Sequence, residues 1–147
     1  MGIDVYASWP GETQKEADEQ CMHVDISSGQ PKASWHGSAG YLHEAYVRNP
    51  SLGLPAPDQG VLATRELVPE AFSATPGGVP IPAAVMRERL PKALAAAKSR
   101  AHYRLVEQVG DVNAYVAEVS KNLADFVEIC ELKEREHGTP CLITVWP

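Results

Sequence analysis

The C-terminal half sets the strongest limit on the fold, because it carries two helical stripes in succession and then a β-rich run. Met86, Leu90, Leu94, Ala97, Ala101 and Leu105 recur at three or four residues, which gathers them on one side of an amphipathic helix. Pro91 must kink or split that helix, since its ring clashes with the carbonyl four residues back. Gly110-Asp111 then predicts a fresh start with Asp111 as N-cap. A second stripe follows at Val112, Tyr115 or Val116, Val119, Leu123, Phe126 or Val127, and Cys130. Gly138 is a natural stop, and the closing PCLITVWP reads as a buried strand.

The opening residues supply a partner for that strand. Ile3, Val5, Ala7 and Trp9 alternate with Asp4, Tyr6 and Ser8, the period of a strand with one buried face. Thr13 and Glu16 fit a capping box for a short polar helix to about Gln20. Met22, Val24 and Ile26 alternate again, and SSGQP turns the chain. A short helix is expected over 39–48, with Leu42, Ala45 and Tyr46 inward and Pro50 as its stop. Residues 50–82 hold seven of the twelve prolines, so only a short strand at Val61–Leu67 and one helical turn at Pro69–Phe72 are expected there. The fold class predicted is α+β in a single domain over 1–147: a small sheet including the N- and C-terminal strands, packed against a long C-terminal helical hairpin.

With 147 residues, 44% hydrophobic and 22% charged, the chain has the composition of a folded globular protein. No apolar run reaches the roughly 18 residues of a membrane span, and the first residues lack the pattern of a secretory signal. Three cysteines with no CxxC pair fit reduced thiols in a cytoplasmic protein. The net charge of −6 argues against a nucleic-acid partner. Its distribution is uneven: residues 81–105 carry six basic side chains against Glu88, whereas 111–137 carry seven acids against three bases.

HGSAGYLHEAY, residues 36–46, gathers the most chemistry. His43-Glu44 opens like the zinc-protease helix motif HExxH, but Val47 stands where the second histidine is needed. Ser38 lies in a sequence resembling a nucleophile elbow, which needs a small residue where His36 stands. The simpler reading makes Ser38 a helix cap and Gly37 the turn into it, with Glu44 and Arg48 an ion pair along the helix. The same helix start would offer amides to an anion. A basic flank at Arg89, Lys92, Arg100, Tyr103 and Arg104 could hold phosphate and stack on a ring; its ordinary alternative is a solvated face answering the acidic helix.

MGIDVYASW, GYLHEAY and ATRELVPEAF together resemble a group of small bacteriophage and prophage proteins that open with an MGID-aromatic strand followed by a GYLxEAY stretch. The resemblance spans the first half of the chain and stops short of the hairpin. It implies a phage or mobile-element origin and no particular chemistry, since no activity is established for the group. Small acidic phage proteins often inhibit or sequester parts of host systems, so by analogy a counter-defence role follows.

The expectation is a non-enzymatic, cofactor-free ligand-binding protein that sequesters a small phosphorylated metabolite or nucleotide signal of the host. Its ligand-binding residues would be His36, Ser38, Tyr41, His43, Arg89, Lys92, Arg100, Tyr103 and Arg104. Exchange of Arg100 and Arg104 for glutamate is expected to abolish binding. Two alternatives stand beside it. One is a hydrolase using a divalent metal on His23, Asp25, His36 and His43. The other is an acidic module that binds a host protein. Neither a membrane nor a nucleic acid is expected as partner, and the C-terminal helices could support a homo-oligomer.

Overall fold

The computed structural model describes residues 2–21, 36–45, 62–73, 77–104 and 112–146; for Gly2, Cys21, Ala45, residues 100–104, Val112 and Tyr115 the backbone alone is described. The elements run in the order β1 (Gly2–Ser8), α1 (Gln14–Cys21), a single 3-10 turn (Gly37–Ala39), β2 (Tyr41–Ala45), α2 (Ala63–Leu67), α3 (Pro69–Phe72), β3 (Val79–Pro80), α4 (Ala83–Arg104), α5 (Val112–His137) and β4 (Leu142–Trp146). The sheet is antiparallel in the order β2-β1-β4-β3. The first and last strands are therefore neighbours at its centre, the pairing expected of the alternating N-terminal strand and the apolar C-terminal run. The fold is α+β, with the α4–α5 hairpin packed on one face of the sheet.

The core lies between that hairpin and the sheet. Ile3, Val5 and Ala7 of β1, Leu42 of β2 and Ile143 of β4 meet Met86, Leu90, Ala93 and Ala97 of α4 and Val119, Leu123, Phe126 and Val127 of α5, all buried. The stripes read from the sequence are thus the contact faces wherever their side chains are described. α4 runs unbroken through Pro91, so the expected split does not occur. Pro91 and Arg87, whose carbonyl loses its donor, both lie on the exposed side, where water can replace the missing bond. Gly138 ends α5 at φ +71°, its N–H donating to the Glu134 carbonyl at 2.8 Å.

Helix starts are fixed by carboxylates, one local and two distant. The Thr13–Glu16 capping box forms: Glu16 N–H donates to Thr13 Oγ1 at 3.1 Å and Thr13 N–H to Glu16 Oε2 at 2.8 Å. Glu134 of α5 accepts the Ala83 N–H that opens α4, at 2.8 Å. Glu44 of β2 accepts Ala63 N–H at 2.8 Å, Thr64 N–H at 2.9 Å and Thr64 Oγ1–H at 2.6 Å, which satisfies the first free amides of α2.

Two expectations are overturned locally. Residues 41–45 form a strand, not part of a 39–48 helix, because they pair in register with β1 from Gly2↔Ala45 to Tyr6↔Tyr41. Residues 63–67 are helical, not a strand. Ala, Arg, Glu and Leu favour a helix, Glu44 caps it, and Val68 leaves helical geometry just before Pro69. Pro69–Phe72 is the helical turn expected. The expected strand at Met22–Ile26, Arg48 and the Asp111 cap lie outside the described residues.

A candidate ligand-binding face on the sheet

HGSAGYLHEAY is organised by its neighbours. Gly37 faces the middle of α5 so closely that a Cβ there would sit 1.9 Å from the Asn122 carbonyl oxygen. Its N–H donates to Asn122 Oδ1 at 2.9 Å. Gly40, at φ +82°, then reverses the chain into β2. The amides of Ala39, Gly40 and Tyr41 donate to carbonyls of His36 and Gly37. An anion therefore finds few free donors in this turn, which is too short to act as a helix N-terminus. Ser38 is exposed and the residue at the cap position is His36, without a side-chain cap bond, so the serine cap read from the sequence does not form.

Beyond Gly40, β2 divides its side chains between two faces. Leu42 and Glu44 point with Val5 and Ile3 toward the helices; Tyr41 and His43 share the other face with Asp4, Tyr6 and Ser8. β4 extends that second face with Leu142, Thr144 and Trp146. Two rows cross the strands as a result. One is His43–Asp4–Trp146 and the next is Tyr41–Tyr6–Thr144. Adjacent strands lie about 5 Å apart, so each row of three side chains spans about 10 Å.

Asp4 organises the first row. Its Oδ1 accepts the Tyr41 hydroxyl at 2.6 Å and lies 2.7 Å from His43 Nδ1. This contact favours the His43 tautomer with the proton on Nδ1. No hydrogen bond from a described residue reaches Asp4 Oδ2. Tyr41 is 2% exposed, and its ring stacks on Tyr6 with centroids 5.1 Å apart. Trp146 is 60% exposed and Leu142 43%, the two most exposed large apolar side chains on this face. Beside Ser8 and Leu142 an apolar groove of about 420 Å³ opens, walled by Trp9, Pro10, Pro80 and Pro140. The face thus offers an aromatic surface at Trp146, a fixed polar pair at its centre and an apolar groove at its end.

The basic flank is occupied elsewhere. Arg89 pairs with Glu70 of α3, Lys92 with Glu66 of α2 at 3.2 Å, and Arg87 with Glu131 of α5. The Arg89 guanidinium holds the Glu70 carboxyl below the ordinary carboxylate range. The described members of the flank therefore do not answer the acidic helix: Arg89 and Lys92 tie α4 to α2 and α3, and it is Arg87, outside the flank, that meets α5. The side chains of Arg100, Tyr103 and Arg104 lie outside the described residues, as do His23 and Asp25. His36 Nδ1 sits 3.4 Å from the Glu19 carbonyl, and His43 is held by Asp4. Among the described residues, no three His, Cys, Asp or Glu side chains stand where they could share a metal ion. No helix among them is long and apolar enough to cross a membrane.

Of the residues read from the sequence, Tyr41 and His43 belong to this face, while Ser38, His36, Arg89 and Lys92 do not. Asp4, Tyr6, Thr144 and Trp146 were missed. The signal was available in the alternation of β1 and the expected pairing of β1 with β4. Comparisons with protein-family models, with curated proteins and with solved structures find no match for this chain.

Proposed function

We propose that the protein is a non-enzymatic binder that captures a small heteroaromatic ligand on the face formed by His43, Asp4 and Trp146. The ligand class is a nucleoside or nucleotide whose base carries an exocyclic amine. One observation carries the reading: an exposed tryptophan stands one strand away from a carboxylate whose Oδ1 is held by Tyr41 and His43 and whose Oδ2 takes no hydrogen bond from the described residues. A flat ring stacks on the indole, and an amino group on its edge donates to the carboxylate in a charge-assisted bond. Adenine, cytosine and guanine offer such an amine, and uracil does not. The negative charge of Asp4 disfavours phosphate on the row itself. A 5′-phosphate is assigned to Arg100 and Arg104, since Arg87, Arg89 and Lys92 of the same basic segment already face carboxylates. With the resemblance to small phage proteins, capture of this kind would withdraw a host nucleotide signal.

Calorimetric titration of the purified protein with the common nucleosides and their 5′-phosphates tests this. Adenosine, cytidine or guanosine is expected to bind more tightly than uridine. Trp146→Ala is expected to weaken binding about tenfold or more, the effect of one lost stack. Asp4→Ala should remove the preference for an amine, and the Arg100→Glu, Arg104→Glu pair should weaken only the phosphorylated ligands. If no nucleoside or nucleotide binds, or if Trp146→Ala and Asp4→Ala both bind as the wild type does, the reading is wrong.

A further inference from the structure

Two of the three cysteines meet in the core, on the connection whose Pro140 walls the apolar groove. Cys130 lies in the last third of α5 and Cys141 immediately before β4; each is 1% exposed. Gly138 turns the chain between them, so helix end and strand start return side by side. Cys141 Sγ sits 3.9 Å from the Cys130 carbonyl oxygen, which places the two residues side by side. Both are free thiols.

We infer that Cys130 and Cys141 form a hydroperoxide-responsive dithiol that closes to a disulfide and ties α5 to the start of β4. The two thiols differ in readiness. The neighbouring Cys130 lowers the Cys141 thiol from its usual range, while the neighbouring Cys141 and burial push the Cys130 thiol well up. Cys141 is therefore the attacking thiolate and Cys130 the resolving thiol. The Cys141 sulfur attacks one peroxide oxygen; an S–O bond forms, the O–O bond breaks, and the departing oxygen leaves as water after taking a proton. Cys130 then attacks the sulfenic sulfur. The S–S bond forms, the S–O bond breaks, and the hydroxide leaves as water with the Cys130 proton. Two thiols lose two electrons in all, and one hydrogen peroxide becomes two waters. Burial selects the oxidant: hydrogen peroxide is close to water in size, whereas a bulky disulfide such as oxidised glutathione cannot reach either sulfur without local opening.

Peptide mapping of the full-length protein after hydrogen peroxide is the test. Trypsin cuts after Lys121, Lys133 and Arg135, so the disulfide would join the peptide 122–133 to the peptide 136–147. The inference expects that linked pair, its disappearance on reduction, and a higher thermal midpoint for the oxidised than for the reduced protein. It also expects a Cys130→Ser variant to stop at a Cys141 sulfenic acid that a dimedone probe captures. Oxidised glutathione at equal dose should link the pair more slowly than hydrogen peroxide. Recovery of both thiols in alkylatable form after peroxide would overturn it. So would a bridge from Cys21 to either partner, or irreversible oxidation of Cys141 without a link in the wild-type protein. The wild-type map decides the matter even if the serine variant fails to fold.

Discussion

Neighbouring residues His43 and Glu44 show how differently the two faces of the sheet are used. Glu44 points toward the helices, is 2% exposed, and is held by the amides of Ala63 and Thr64 and the Thr64 hydroxyl. His43 points the other way, half-buried against Asp4 in a row that ends at an exposed tryptophan. On the helix face a charged group is stable because its partners are complete. On the other face the polar groups are oriented, but among the described residues nothing donates to Asp4 Oδ2. The contrast separates residues that hold the fold from residues that can meet a ligand, although the two kinds alternate along one strand.

Substitutions inside HGSAGYLHEAY sharpen that contrast most. Gly37→Ala would push a methyl group into the α5 backbone at Asn122. Neither side can yield like a flexible side chain, so a loss of about 3 kcal/mol is expected, at the upper end for overpacking. Ser38→Ala, one residue on and exposed, should stay within about 0.5 kcal/mol of wild type. Urea denaturation of the two variants measures the difference, and equal losses would break the account of the turn.

Glu44→Ala and His43→Ala make the next comparison. Removing Glu44 leaves the amides of Ala63 and Thr64 without their acceptor, at a cost of about 2–3 kcal/mol. His43→Ala should cost under about 1 kcal/mol and act instead on ligand affinity. The opposite ranking in denaturation would mean that the faces have been assigned the wrong way round.

These two positions also show why the sequence is legible in some places and not in others. The apolar alternation of β1, the paired stripes of α4 and α5, the Thr13–Glu16 box and the Gly138 stop depend on residues a few positions apart, and each appears as read. Gly37 takes its meaning from Asn122, 85 positions away, and Glu44 from Ala63, 19 away. Without those partners GSAG looks like a helix entry and HEAY like a helical turn. The short strand expected over Val61–Leu67 likewise lacks the distant carboxylate that starts residues 63–67 as a helix. The site row could have been found by extending the expected β1–β4 pairing outward from the core face. Motifs favour residues clustered in sequence, such as these histidines and arginines, over residues gathered by strand register.

Smaller effects belong to the ion pairs of α4. Glu70→Gln should cost about 0.5 kcal/mol at low salt and less as salt rises, since the pair with Arg89 is partly solvated. Its pH dependence has a definite sign. Glu70 and Glu16 titrate below their ordinary value of 4.5, Glu70 through Arg89 and Glu16 chiefly through the Thr13 amide. Their stabilisation is complete above that value and disappears as pH falls through the depressed folded values. Thermal melts from pH 6 down to pH 2 should show the Glu70→Gln difference fading over that acidic range.

Glu12 is the smallest and opposite case. Burial and then the charge of Glu16 raise its carboxyl, and its Oε1 is buried without a hydrogen bond. A group raised in the folded state destabilises it above the folded value and ceases to do so below the unfolded one. Glu12→Gln should therefore raise the thermal midpoint slightly at pH 7 and leave it unchanged near pH 3. A larger gain at acid pH would contradict the assignment.

The most direct test of the division between the faces is a nuclear magnetic resonance titration of isotopically labelled protein with the tightest nucleoside from the calorimetric panel. Shifts confined to Asp4, Tyr6, His43, Thr144 and the Trp146 indole, with Glu44, Gly37 and the α4–α5 contact unmoved, are the predicted result. Shifts centred on Arg89, Lys92 and the hairpin, with Trp146 and Asp4 silent, would contradict it.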